Sequence, residues 1–235
     1  MRIFTLKLKN YIRPEHVSQL HGLLYKDVLP KQAADKWHGA EIPAIRQRLL
    51  DNGLTWQIVV LDEKLANDLL PRLGKLQYKN GFRLKGEGNQ HYQVTDITSQ
   101  KIQTLVPEPM GPAVELQIQT PMMFKNKGTY LRSFDTQKFF SSIIRTHDQF
   151  ETRKIYAPAN FQDIIKAVKV TNDATRPATT IVNQRQIPGF RGLIALEISA
   201  DATLTQQIHY LLAYGSYVGS GGKTALGMGS YTISA

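Results

Sequence analysis

Six histidines, a segment with six glycines in fifteen residues and an excess of cations over carboxylates are the features of this 235-residue sequence that can do chemistry. Histidine titrates near neutral pH and suits proton transfer. Dense glycine lets backbone N–H groups come close to an anion. The segment runs from Gly215 to Gly229 and contains Tyr217-Val218-Gly219-Ser220-Gly221-Gly222-Lys223-Thr224-Ala225-Leu226-Gly227-Met228-Gly229. Gly222-Lys223-Thr224 has the ending of a nucleotide-binding P-loop, but that pattern requires a glycine five positions earlier, where Tyr217 stands. A P-loop also follows a strand and opens a helix, whereas periodicity predicts a helix before this segment and a strand after it. The dinucleotide fingerprint fails as well, because Thr224 occupies the place of its third glycine. Spacing alone leaves two readings: a loop that approaches phosphate, or a connection whose glycines pack the last helix against its sheet.

Charge favours the first. The 29 Lys and Arg exceed the 19 Asp and Glu by ten, and the pI of 9.7 is the footprint of a chain that neutralises phosphates. The acids form no D-x-D, D-x-E or HExxH pattern, so neither metal ligands nor a cofactor are expected. With no cysteine, thiol nucleophiles, disulfides and thiolate metal sites are excluded. Met1 to Asn10 alternates basic and apolar residues, unlike a secretion signal, and no apolar run is long enough to span a membrane. A soluble, cytoplasmic protein is the expectation.

The elements that must position these groups alternate between strand and helix. Arg2 to Leu8 has period two, and after Pro14 the residues Val17, Leu20, Leu24 and Val28 share one helical face. Thr55 to Leu61 reads as a strand and Glu63 to Leu73 as a helix stopped by Gly74. Strands Phe82 to Lys85 and Tyr92 to Ile97 are predicted around a turn at Gly86-Glu87-Gly88-Asn89. Pro107, Pro109, Gly111 and Pro112 make a linker, which sets domains at 1–108 and 109–235. Beyond it, Val114 to Thr120 is a strand and Asp135 caps a helix carrying Phe139, Phe140, Ile143 and Ile144. Gly189 to Ile198 is a strand, Thr203 to Tyr214 a helix and Ser230 to Ile233 a last strand. The fold class expected is α+β, as two tandem ferredoxin-like sandwiches of the β-α-β-β-α-β kind used by RNA-recognition modules.

The glycine-rich stretch from Tyr217 to Gly229 resembles the C-terminal signature of the RAMP proteins, specifically the Cas six family of CRISPR RNA-processing endoribonucleases. Leu116-Gln117-Ile118-Gln119-Thr120-Pro121-Met122-Met123-Phe124-Lys125, Ile187-Pro188-Gly189-Phe190-Arg191-Gly192, Leu20-His21-Gly22-Leu23-Leu24 and Trp37-His38 resemble other parts of that family, closest to members from type III systems. The resemblance implies a CRISPR precursor transcript as substrate, cut within each repeat without a metal. Attack by the ribose 2′-OH leaves a 2′,3′-cyclic phosphate and a 5′-OH. Such cleavage needs a base, an acid and cations for charge building on phosphorus. His38, read as a loop residue after the first helix, resembles the family's general acid in position. His21 is its rival, one residue off the apolar stripe and four before Tyr25, so that the two share a helix face. Tyr25 falls near a tyrosine that acts in some relatives, and Arg46, with Arg48 as fallback, matches a cation that follows the histidine. The sequence departs from the family in lacking a lysine-rich, serine-ended stretch after His38.

For RNA contact the candidates are Gly219, Gly221, Gly222, Lys223, Thr224, Gly227 and Gly229 in the glycine segment, Lys125 and Lys127, and Arg185 and Arg191 flanking a turn at Ile187-Pro188-Gly189. Singly, each cation is an ordinary surface charge. A non-catalytic RNA-binding subunit of a CRISPR effector assembly shares these features and is the alternative. Effector subunits and a second copy of the chain are the further partners the resemblance allows.

Overall fold

The computed structural model describes residues 1–78, 81–84, 90–103, 105, 110–152, 154–155, 158–182 and 185–234. By contact the chain divides into Met1–Gln103 with Ala225–Gly227, and Thr104–Thr224 with Met228–Ala235.

The first unit opens with β1 (Arg2–Leu8), whose alternate residues Phe4, Leu6 and Leu8 are buried as period two predicts. A 3₁₀ turn at Pro14–His16 leads into α1 (Val17–Leu23), one π-helical turn at Leu24–Val28 and α2 (Lys31–His38). Then come β2 (Ile45–Leu50), β3 (Thr55–Val60), α3 (Glu63–Tyr78), the short ribbon of β4 (Phe82–Arg83) with β5 (His91–Tyr92), and β6 (Val94–Lys101). The main sheet is antiparallel with order β2-β3-β1-β6, a ferredoxin-like β-α-β-β-α-β topology.

Three expectations are corrected. Strand β2 was not anticipated, because Ile45-Arg46-Gln47-Arg48 shows no apolar alternation. Nor was α2, which makes His38 the last residue of a helix and not a loop residue. Helix α3 runs past Pro71 and Gly74 to Tyr78: its buried stripe of Leu65, Leu69 and Leu73 outweighs the hydrogen bond that Pro71 forgoes. The predicted turn at 86–89 and the strand end at Lys85 lie outside the described residues.

The second unit repeats the plan. β7 (Ala113–Met122) is followed by a hairpin of β8 (Phe124–Asn126) and β9 (Thr129–Leu131), turned at Lys127-Gly128 with φ of 46° and 86°. Asp135 caps α4 (Thr136–Phe150) by accepting from the Lys138 N–H. After α5 (Pro158–Ala167) come the long paired strands β10 (Val168–Val182) and β11 (Arg185–Ile198), then α6 (Ala202–Val218) and β12 (Tyr231–Ser234). The sheet order is β10-β11-β7-β12, again ferredoxin-like.

Here too the structure differs from expectation. Helix α6 extends four residues past Tyr214, so the glycine segment begins inside a helix. Ile187-Pro188-Gly189 is mid-strand in β11, not a turn. Strand β10 and helix α5 were missed, β10 because its residues are polar on both faces, as an edge strand permits. Of the predicted linker, residues 107 and 109 lie outside the described residues. No described helix is long and apolar enough to cross a membrane.

Candidate active site

Three of the four residues singled out for catalysis converge in the first unit. His21 sits on α1 and Tyr25 one turn later, in the π-helical turn that Leu29 N–H closes onto the Leu24 carbonyl at 2.8 Å. Buried Trp37 anchors α2, which delivers exposed His38 at its end. The ring centroids of His21 and Tyr25 are 4.3 Å apart, those of Tyr25 and His38 5.5 Å, and those of His21 and His38 6.0 Å. One accessible imidazole thus borders a half-buried imidazole and a buried phenol.

The buried pair is electrostatically tuned. Burial, with help from the charge of His38, lowers the His21 pKa to about 4, although a hydrogen bond with the Ala225 backbone opposes this. Burial pushes the Tyr25 hydroxyl up to about 12 against the pull of the Arg46 guanidinium. Tyr25 therefore keeps its proton and His21 stays neutral across the physiological range. His21 Nδ1 and the Tyr25 hydroxyl are both buried without a hydrogen-bond partner among the described residues.

The His21 shift has a consequence for stability. As pH falls, the unfolded chain takes up a proton near the ordinary value of 6.5 and the folded chain only near 4, so stability declines across that window and levels off below it. His21→Asn should flatten the decline measured by denaturant unfolding between pH 7 and pH 4.5. An equal decline in wild type and variant would show that His21 is not held neutral by burial.

Sequence reasoning missed the residue that fixes α1 in place. Buried Gln47, on β2, accepts from Trp56 Nε1 at 3.0 Å and donates to the Val17 carbonyl at 3.0 Å, tying the sheet to the helix that carries His21. The signal was a lone amide at the strand parity of Ile45 and Leu49. Gln47→Leu strands the buried indole N–H and should cost about 1–3 kcal/mol in denaturant unfolding. Unaltered stability would argue against the clamp.

Arg46 lies on the other face of β2, buried, and donates to the Pro43 and Ile45 carbonyls, the latter at 3.2 Å. It reaches the cluster through its field at Tyr25. Arg48 donates from Nε to Gln57 Oε1 at 2.7 Å.

The glycine segment spends several of its backbone donors within the protein. Gly219 N–H donates to the Gly215 carbonyl at 2.7 Å, Gly221 to Ser142 Oγ at 2.9 Å, Gly222 to the Met123 carbonyl at 2.8 Å and Gly229 to the Pro121 carbonyl at 3.0 Å. These four N–H groups therefore hold the segment against its own unit. Gly219, Gly221, Gly227 and Gly229 have φ between 70° and 89°. A side chain on Gly227 would meet Val17 Cγ1 at 2.9 Å and the Gln47 carbonyl oxygen at 3.2 Å. Lys223 is exposed, with φ of 60°, and Thr224 begins a 3₁₀ turn. Lys125 lies over the Tyr130 ring at 4.8 Å, Lys127 is at the tip of the β8–β9 hairpin, and Arg185 and Arg191 are exposed along β11. Among the described residues no group of three or more His, Asp or Glu is placed to hold a metal ion.

Comparison with known proteins agrees with this architecture. The sequence pattern of the family CRISPR-associated endoribonuclease Cas6 matches residues 116–231. A CRISPR-associated endoribonuclease Cas6 of Mycobacterium tuberculosis is 22% identical over 226 residues, 91% of this chain and 70% of its own length. One of Streptococcus thermophilus is 28% identical over 116 residues, 49% of this chain and 48% of its own. The fold of a solved Cas6 product complex matches with a TM-score of 0.80 at 20% identity, covering the whole of both chains. With its two ferredoxin-like units, the family pattern spanning most of the second and a relative aligned along 91% of its length, the chain is similar throughout to the CRISPR-associated endoribonucleases of the Cas6 family.

Proposed function

We propose that this endoribonuclease cuts CRISPR precursor RNA within its repeats by metal-independent transesterification, and that residues 1–108 supply the chemistry while 109–235 supply much of the RNA contact. The observation that carries this reading is the convergence of His21, Tyr25 and His38. The 2′ oxygen forms a bond to phosphorus as its proton passes to a base, and the bond from phosphorus to the 5′ oxygen breaks as that oxygen receives a proton from an acid. His21, neutral and with Nδ1 unpartnered, takes the first proton, and an approaching phosphate raises its basicity from the low value of the free protein. Exposed His38 gives the second. The Tyr25 hydroxyl, protonated at all relevant pH, donates to a phosphate oxygen, and the field of Arg46 offsets the charge building there.

The test is incubation of the protein with a labelled transcript of its host's CRISPR repeat in EDTA, followed by end-group analysis. Products with 2′,3′-cyclic phosphate and 5′-OH ends are expected. Binding without cutting would overturn the reading in favour of a non-catalytic RAMP subunit, and cutting that needs a divalent ion would overturn the metal-free mechanism.

A further inference from the structure

Strands β10 and β11 pair from Val168↔Ile198 to Val182↔Arg185, and two rungs on one face carry charges on both strands. Lys169 stands opposite Glu197, the opposite-sign pairing that stabilises a sheet. Arg176 stands opposite Arg191. Like charges directly across a rung, with Cβ atoms about 5 Å apart, destabilise a hairpin. Both arginines are exposed, and neither guanidinium makes an ion pair or hydrogen bond among the described residues.

The backbone enforces this juxtaposition. Arg176 precedes Pro177, which confines it to extended geometry, and the edge position of β10 tolerates the missing N–H. Arg191 faces a register break on its other side: Phe190 pairs with Met122 and Gly192 with Ile118, so the extra residues bulge from β7 while Arg191 stays in the regular ladder with β10. On the neighbouring rung Gly192 has φ of 137°, and a Cβ there would lie 2.6 Å from the Ala174 carbonyl oxygen, so glycine lets β10 close up beside the pair. Two unpartnered guanidinium forks held across one rung, beside a proline and a glycine, make a receptor for one tetrahedral dianion or phosphodiester, whose oxygens accept from both.

We propose that Arg176 and Arg191 together clamp a single backbone phosphate of the RNA, a contact that deepens the RNA-processing reading above and rests on it. The experiment measures affinity for the repeat transcript in EDTA across a salt series, and thermal unfolding without RNA. It uses wild type, Arg176→Ala, Arg191→Ala, the double variant and Arg176→Glu. Each single alanine should weaken binding about tenfold and lower the log–log salt slope by about 0.7, the share of one single-strand phosphate. The double variant should be little weaker than either single, because both arginines serve one phosphate. Arg176→Glu should bind still more weakly yet unfold at a higher temperature than wild type, since it replaces repulsion with attraction. Single variants that bind like wild type, or a double whose loss is the product of the singles, would overturn the shared clamp and leave the wider function standing. Wild type that binds no repeat RNA would overturn both.

Discussion

His38→Ala should slow cleavage of a repeat transcript in EDTA by about two to four decades, the range for losing a positioned proton donor. Its affinity for the RNA should remain that of wild type. The side chain is exposed at the end of α2 and is 5.5 Å from the Tyr25 ring, so its removal opens no cavity. Trp37, one residue earlier, anchors the helix in either case. Single-turnover cleavage read beside binding separates the roles: a fall in rate at constant affinity marks a proton donor, while a parallel fall in both marks a contact residue. A variant that cuts at the wild-type rate would remove His38 from the chemistry and leave His21 as the histidine to test.

The second large effect is on stability. Gly229→Ala should lower the unfolding transition of the second unit by about 15 °C, corresponding to roughly 4 kcal/mol. Gly229 has φ of 70°, which costs an alanine about 1–2 kcal/mol. The new methyl would also be driven into the Ser220 carbonyl oxygen, a backbone atom that cannot rotate away. Relieving that clash breaks the bond from Ser220 N–H to the Gly229 carbonyl, 3.0 Å, and the bond from Gly229 N–H to the Pro121 carbonyl, also 3.0 Å. Lys223→Ala is the counterpart: its side chain is exposed, so RNA affinity should fall with the transition unmoved. Calorimetry checks the first and a binding isotherm the second. If Gly229→Ala unfolds like wild type and only binding suffers, the glycines serve the ligand and not the packing.

What the sequence made legible follows burial. β1 and β7 bury alternate side chains and α4 buries Phe139, Phe140, Ile143 and Ile144 on one stripe, so their periods could be read directly, while β3, buried on both faces, showed itself by its β-branched and aromatic run. β2 hid its nature because polar residues occupy its buried positions: Gln47 is satisfied by Trp56 and Val17, and Arg46 by the Pro43 and Ile45 carbonyls. β10 hid because an edge strand with two wet faces has no period to show. In α2, Trp37 is the one buried residue among eight, too few for a pattern. The site divides the same way. The pairing of His21 with Tyr25 is local, set by helical spacing, and was readable. The approach of His38 depends on α2, and its candidacy came from family resemblance alone. The glycine segment identified the family, but the work of its glycines was visible only once their N–H partners were known.

The π-helical turn at Leu24–Val28 has one residue more than an α-helical path would need. Such a surplus acts as an angular spacer. Deleting one residue there and restoring regular winding would rotate everything downstream by roughly 100° relative to α1. Tyr25 and the approach to α2 would then point elsewhere, although no side chain of the cluster had been changed. The turn is therefore a place where insertion length, independent of residue identity, retunes which groups meet: relatives with equivalent histidines and a different count between them need not share one geometry of proton transfer.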